Sequence, residues 1–141
     1  VLDESAYRAF GEPHDRRVLA AARGAGAWFT VVHMHGEDVM FDLLSRYDVA
    51  ALNWHIGETP PAIGDYRARG GNRPILGGLQ RGHITRRDLA AVRSDIDSAM
   101  AATRGRGLLL APACVIRHPV DAATLEAAAA AIRALDPRDW Q

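Results

Sequence analysis

Apolar positions along this chain follow two rhythms in alternation, and the alternation predicts its elements. "PHDRRVLAAARGAG" reads as a helix, with proline near its first turn and glycine at its end. "AWFTVVHMH" is aromatic and β-branched, the mark of a buried strand. In "GEDVMFDLLSRY", Met40, Leu43, Leu44 and Tyr47 recur at helical spacing, with Glu37 and Asp38 at the positive end of that helix. "DVAALNW" is a second strand. Thr59 then stands as an N-cap before Pro60 and Pro61, opening a short helix through Tyr66 that stops at Gly70 and Gly71.

"RPILGGL" is a third, glycine-ended strand. Thr85 and Asp88 resemble a capping pair that opens the longest helix, where Leu89, Val92, Ile96 and Met100 share a face and Gly105 marks the end. "GLLLAPAC" is the fourth strand. Asp121 caps an alanine-rich last helix through Leu135, terminated by Pro137. One helix followed by four βα units implies parallel strands covered by outer helices. Four such units do not close a barrel, and an open four-stranded sheet leaves two bare edges. The economical expectation is an α/β domain over residues 1–141 that forms (βα)4, the C-terminal half of a (βα)8 (TIM) barrel. An open doubly wound sheet is the alternative. The opening "VLDESAYRAFGEP" carries no methionine and suggests a piece of a longer protein.

Composition narrows the function classes. The chain has 141 residues, enough for one domain with a core, and is 48% hydrophobic and 24% charged. Formal net charge is zero, so no long-range field gathers nucleic acid or anionic lipid. The longest apolar run, "LLLAPACVI", is too short to cross a bilayer and contains proline. One cysteine, Cys114, forms no internal disulfide, and a reducing cytoplasm is the expected compartment. Glycine-rich "ARGAGA" and "RGRG" match no phosphate-binding pattern, and no serine sits in a nucleophile elbow.

Chemistry in a parallel fold collects at the carboxyl ends of strands. The first strand ends in His33 and His35, the second in Asn53, Trp54 and His55, the third in Gly77, Gly78 and Gln80, and the fourth in Cys114. The strand period turns His33 and His35 to one face, and Asn53 and His55 likewise. Two imidazoles and a thiolate suit Zn²⁺, and His33, His35 and Cys114 supply the three ligands of a catalytic site with one open position. Alternatively, Cys114 is a small strand hydrophobe and the histidines are structural. His55 and Asn53 are candidate catalytic residues, His55 as a donor lining the pocket. Arg117 is either a partner for a substrate carboxylate or a solvated loop residue. His14, His83 and His118 stand beside turn signals and are expected to be solvated.

The ordered set "HMHG", "DVAALNW", "RPILGGL", "RGHITRRDLAAV", "LLLAPACVI" and "VDAATLEAAAAAIRAL" resembles the uroporphyrinogen decarboxylase superfamily from about Tyr7 to Leu135. It covers the C-terminal half of that family's domain, whose fold is a single (βα)8 barrel. The resemblance implies one of two branches. Decarboxylases of haem biosynthesis remove acetate carboxyls from a tetrapyrrole without metal. The methyltransferase branch moves a methyl group from a corrinoid, carried on a partner protein, to a thiol, using zinc held by a His-x-Cys pair and a distant cysteine. On that pattern His33 matches the histidine, His35 stands at the first cysteine and Cys114 at the second. An N₂S set is less electron-rich than N₁S₂ and leaves a bound thiol less nucleophilic. Cys114 stands where the decarboxylase branch carries a Gly-His-Gly signature, and Gly78, Leu79, Gln80 and Arg81 replace its Asn-Leu-Asp-Pro-like loop.

Three functions follow as expectations. The first is zinc-assisted methyl transfer to a thiol-type acceptor. The second is tetrapyrrole decarboxylation, with arginines binding propionates. The third is a truncated, non-catalytic interaction module, with half the strand ends missing and homo-oligomers forming through its open edges. As an enzyme the chain takes a thiol, corrinoid or tetrapyrrole as its small-molecule substrate, and the isolated piece is expected to be inactive.

Overall fold

In a computed structural model, which describes residues 2–136 and Arg138, the chain forms four parallel strands with helices between them. In chain order these are α1 (Glu4–Phe10), α2 (Glu12–Gly24), β1 (Val31–Met34), α3 (Phe41–Leu44), β2 (Ala51–Trp54) and α4 (Ile63–Ala68). They continue with β3 (Ile75–Leu79), α5 (Arg81–Thr85), α6 (Leu89–Thr103), β4 (Leu108–Pro112) and α7 (Ala122–Arg133). The sheet runs β1-β2-β3-β4 with no reversal in strand order. Val31 to Met34 pair with Ala51 to Trp54, and Ile75 to Leu79 pair with Leu108 to Pro112.

The core lies on the side of the sheet opposite His33. Met34, Leu52, Trp54 and Ile75 are fully buried there, joined by Phe41 and Tyr66. The Phe41, Trp54 and Tyr66 rings meet edge to face with centroids 5.0 to 6.0 Å apart, and Trp54 Nε1 donates to Pro61 O at 2.9 Å. Each such ring pair contributes about 0.5–1.5 kcal/mol beyond its burial. A second cluster of Leu79, Ile84, Val92, Ile96, Met100 and Ala128 seats α6 and α7. Gly78 allows that seating. Its φ is +106°, and a Cβ would stand 3.0 Å from Ala99 Cβ and 3.2 Å from Leu110 Cδ2.

Several expected boundaries move. The helix expected from Gly36 shrinks to one turn, α3, so Glu37 and Asp38 lie in bends before it and do not sit at its positive end. Its apolar residues still turn inward, with Leu43 and Tyr47 buried, because burial needs only the spacing and not a continuous helix. Thr59 caps nothing. α4 starts four residues later at Ile63, and the Thr59 hydroxyl donates to Gly36 O at 2.8 Å. Asp88 is itself the N-cap of α6, accepting from Ala91 N at 3.0 Å, while Thr85 closes α5 and bonds to Arg81 O. Leu89 is 39% exposed and stands off the buried face.

β1 is four residues long, with its register to β2 starting at Val31 opposite Ala51. Two helices were unforeseen: α1, capped by Asp3, and α5, directly after β3. Asp121 caps α7 as expected, bonding Thr124 N and Oγ1, and the stop assigned to Pro137 lies outside the described residues. Among the described residues no helix is long and apolar enough to cross a membrane.

Candidate metal centre

Parallel pairing places His33 opposite Asn53 on neighbouring strands, so their side chains leave the same face. His35 and His55 follow two residues later, each just past its strand. Gly36, at φ +118°, then turns the chain away, and Thr59 pins that turn. Cys114 stands two residues beyond β4, behind Ala113, whose amide still bonds to Leu79 O at 2.7 Å.

These side chains converge. His33 Nε2 is 3.4 Å from His35 Nδ1, Cys114 Sγ is 3.7 Å from the first and 3.6 Å from the second. His55 Nε2 is 3.2 Å from His35 Nδ1, and one ligand atom from each of the four residues lies within 4.8 Å of the others. Bond lengths of about 2.0–2.1 Å to nitrogen and about 2.3 Å to sulfur make a tetrahedral zinc separate two nitrogens by ~3.3–3.4 Å and nitrogen from sulfur by ~3.5–3.6 Å. The triangle of His33, His35 and Cys114 is a face of that size. His55 touches it at the His35 corner, where it reaches either a fourth position or a ligand in that position.

The contact also spans the width of the sheet. Neighbouring strands lie about 4.8 Å apart, so a flat sheet would hold β1 and β4 roughly 14 Å from each other. The His33 side chain and the segment just past β4 close that gap to 3.7 Å over the histidine face.

Surrounding groups orient the ligand atoms. Asn53 Nδ2 donates to Leu76 O at 2.6 Å, which makes Oδ1 the acceptor for His33 Nδ1–H. That bond sets the His33 tautomer and directs the Nε2 lone pair into the cluster. Asn53, expected as a catalytic candidate, is thus engaged at both ends of its amide. His55 Nδ1 is 3.8 Å from Glu58 Oε2. Glu58 receives a two-pronged contact from Arg81, at 3.1 and 2.9 Å, and Arg81 Nη1 points at Cys114 Sγ from 3.5 Å.

Burial, and secondarily the charge of Arg81, pushes His55 below its ordinary 6.5, favouring the neutral ring that a metal ligand requires. The Arg81 hydrogen bonds hold Glu58 below its usual carboxylate value. Glu58 was not singled out from the sequence, and Arg81 was named only in the loop after the third strand. Their one sequence signal is position, since Glu58 sits in a turn just past β2 and Arg81 opens α5 just past β3.

The other histidines divide. His118 is exposed as expected, and His14 is exposed but on α2 and not in a loop. His83, expected to be solvated, donates from Nδ1 to Asp95 at 2.8 Å on α5. Asp95 also accepts from Gln80 N and Nε2, which ties the end of β3 to α6. Arg117 is exposed beyond Cys114.

No family model, curated protein or solved structure matches the chain. The arrangement is therefore read from its own geometry: a parallel α/β sheet carrying three imidazoles and a sulfur at one end.

Proposed function

We propose that the chain is part of a (βα)8 barrel enzyme of the uroporphyrinogen decarboxylase superfamily, on the branch that activates a thiol at a zinc centre for methyl transfer. The observation that carries the reading is the His33–His35–Cys114 triangle, whose edges of 3.4, 3.6 and 3.7 Å suit one face of a zinc tetrahedron. The unreversed strand order supports a barrel arc over a doubly wound sheet, in which order reverses at the binding crevice. The motif resemblance supplies the reaction class. A corrinoid on a partner protein as methyl donor rests on that resemblance alone.

Zinc bound there would supply a Lewis-acidic centre that lowers the proton affinity of a ligated thiol. The chain's own residues do the rest. Asn53 holds the His33 ring, Arg81 presents a donor to the Cys114 sulfur, and the Glu58 carboxylate faces His55 Nδ1. His55, neutral and next to His35, is the group placed to accept or return a proton beside the open position.

Metal analysis of the purified protein tests the proposal, with Cys114→Ser as control. One zinc per chain in the wild type, lost or sharply reduced in the variant, is expected. Sub-stoichiometric metal in both would overturn it.

A further inference from the structure

α5, which carries Arg81, is five residues long, and Gln80 before it makes no side-chain cap. A helix of that length has too few internal hydrogen bonds to hold its own place, so the direction in which it presents Arg81 is set from outside. Asp95, buried on the 15-residue α6, is the outside support. Its Oδ2 accepts from Gln80 N at 2.9 Å and from His83 Nδ1 at 2.8 Å, and its Oδ1 accepts from Gln80 Nε2 at 3.1 Å. Arg81 stands in sequence between the two anchored residues. The Gln80 side chain in turn lies against Gly57, where a Cβ would collide with Gln80 Cδ and Cγ. The clamp thereby abuts the turn that carries Glu58, the carboxylate paired with Arg81 at 2.9 Å.

We infer that Asp95 is a positioning residue of the centre: through Gln80 and His83 it fixes the start of α5 so that the Arg81 guanidinium stands 3.5 Å from the Cys114 sulfur. Among the described residues Asp95 makes no hydrogen bond to His33, His35, His55 or Cys114, so it acts through Arg81. The use of that contact rests on the metal-centre reading, where a donor on the thiolate tunes the metal it holds. The contact itself does not. Hydrogen bonding, not charge, is what the clamp needs, because its three donors meet one side chain in fixed directions. Asparagine at this position would keep it: the amide oxygen accepts from Gln80 N and His83 Nδ1, and the amide NH₂ meets a Gln80 carboxamide turned over.

Alkylation of Cys114, the one cysteine, in the metal-free full chain tests the inference. Anionic iodoacetate and neutral iodoacetamide are compared at one pH and low ionic strength. The ratio of their rates cancels the thiolate fraction and reads the charge beside the sulfur. Arg81→Gln should lower that ratio by about fourfold, the scale of one unit charge ~5 Å away at a water-like dielectric. Asp95→Ala should lower it by at least about twofold. Loss of a negative charge by itself raises the ratio, so a fall reports a displaced guanidinium and not the missing carboxylate. Asp95→Asn should keep the ratio at or above the wild-type value. A ratio unchanged or raised in Asp95→Ala, with circular dichroism showing a folded chain, would overturn the inference. So would a ratio indifferent to Arg81→Gln, or a Cys114 that neither reagent modifies, since a closed sulfur has no reaction for the clamp to serve. If Asp95→Ala does not fold, His83→Ala decides: a fall in the ratio supports the clamp, and no change overturns it. None of these rates involves zinc, so the clamp and the metal centre fail separately.

Discussion

Asn53 shows how a side chain can govern a site without touching a reacting atom. Its amide spans two strands, taking the His33 ring proton at one end and giving a hydrogen bond to Leu76 O at the other. At the proposed zinc centre, Asn53→Ala should weaken zinc binding by roughly 10–100-fold, the usual effect of removing a ligand's supporting partner. A competitive chelator titration reads this, with circular dichroism confirming an intact fold, and unchanged affinity would contradict it. Glu58 gives a pH signature. Its carboxyl is held below the ordinary 4.5, first by the Arg81 hydrogen bonds and also by the charges of Arg81 and Arg117. A lowered carboxyl contributes stability that is complete above its ordinary value and fades as pH falls through the lowered one. Urea unfolding should therefore show a constant gap between wild type and Glu58→Gln from about pH 8 to about pH 5, closing below about pH 4.5. A gap that widens on acidification would refute the assignment.

Strands and helices carry these side chains to one place by close approach. α6 lies over β3 because Gly78 has neither a Cβ to strike Ala99 nor a penalty at φ +106°. Gly78→Ala should lose about 2 kcal/mol or more, combining backbone strain with the clash, measured by chemical denaturation. A neutral effect would mean that α6 shifts freely. The same elements explain where sequence patterns were legible. Short apolar strands such as "ILGGL" and caps such as Asp121 carry their signal within a few residues, and both appear where expected. The four-residue α3 and the idle Thr59 were not legible, because a helix pattern from Gly36 to Tyr47 competes with the turns that bring Phe41 and Tyr47 inward. Residue spacing alone does not rank those outcomes.

Considered entire, the sheet has backbone groups on the outer side of β1 and of β4 that no described strand pairs. Trp28, 91% exposed, and Leu109, 42% exposed on β4, add apolar surface near those borders. Unpaired parallel edges of this kind recruit further strands. The isolated chain should self-associate as concentration rises, which sedimentation velocity measures, and a monomer at all concentrations would contradict this. The same open edges agree with the proposed arc of a larger barrel. The whole sheet also serves the site, because the bend after β4 brings Cys114 across two intervening strands to His33.

Periodicity by itself determined the α/β class, the four strands and the end of the sheet at which His33, His35, Asn53, His55 and Cys114 stand, since these depend on side-chain spacing of about two and about 3.6 residues. Tertiary structure alone decided that the four candidate ligand atoms lie within 4.8 Å, that Asn53 serves His33 and that Glu58 and Arg81 link His55 to Cys114. The physical reason is curvature and direction. Spacing along a chain says which face a residue takes, whereas the distance between tips of β1 and β4 depends on how strongly the sheet curls, and that is set by packing of every helix behind it.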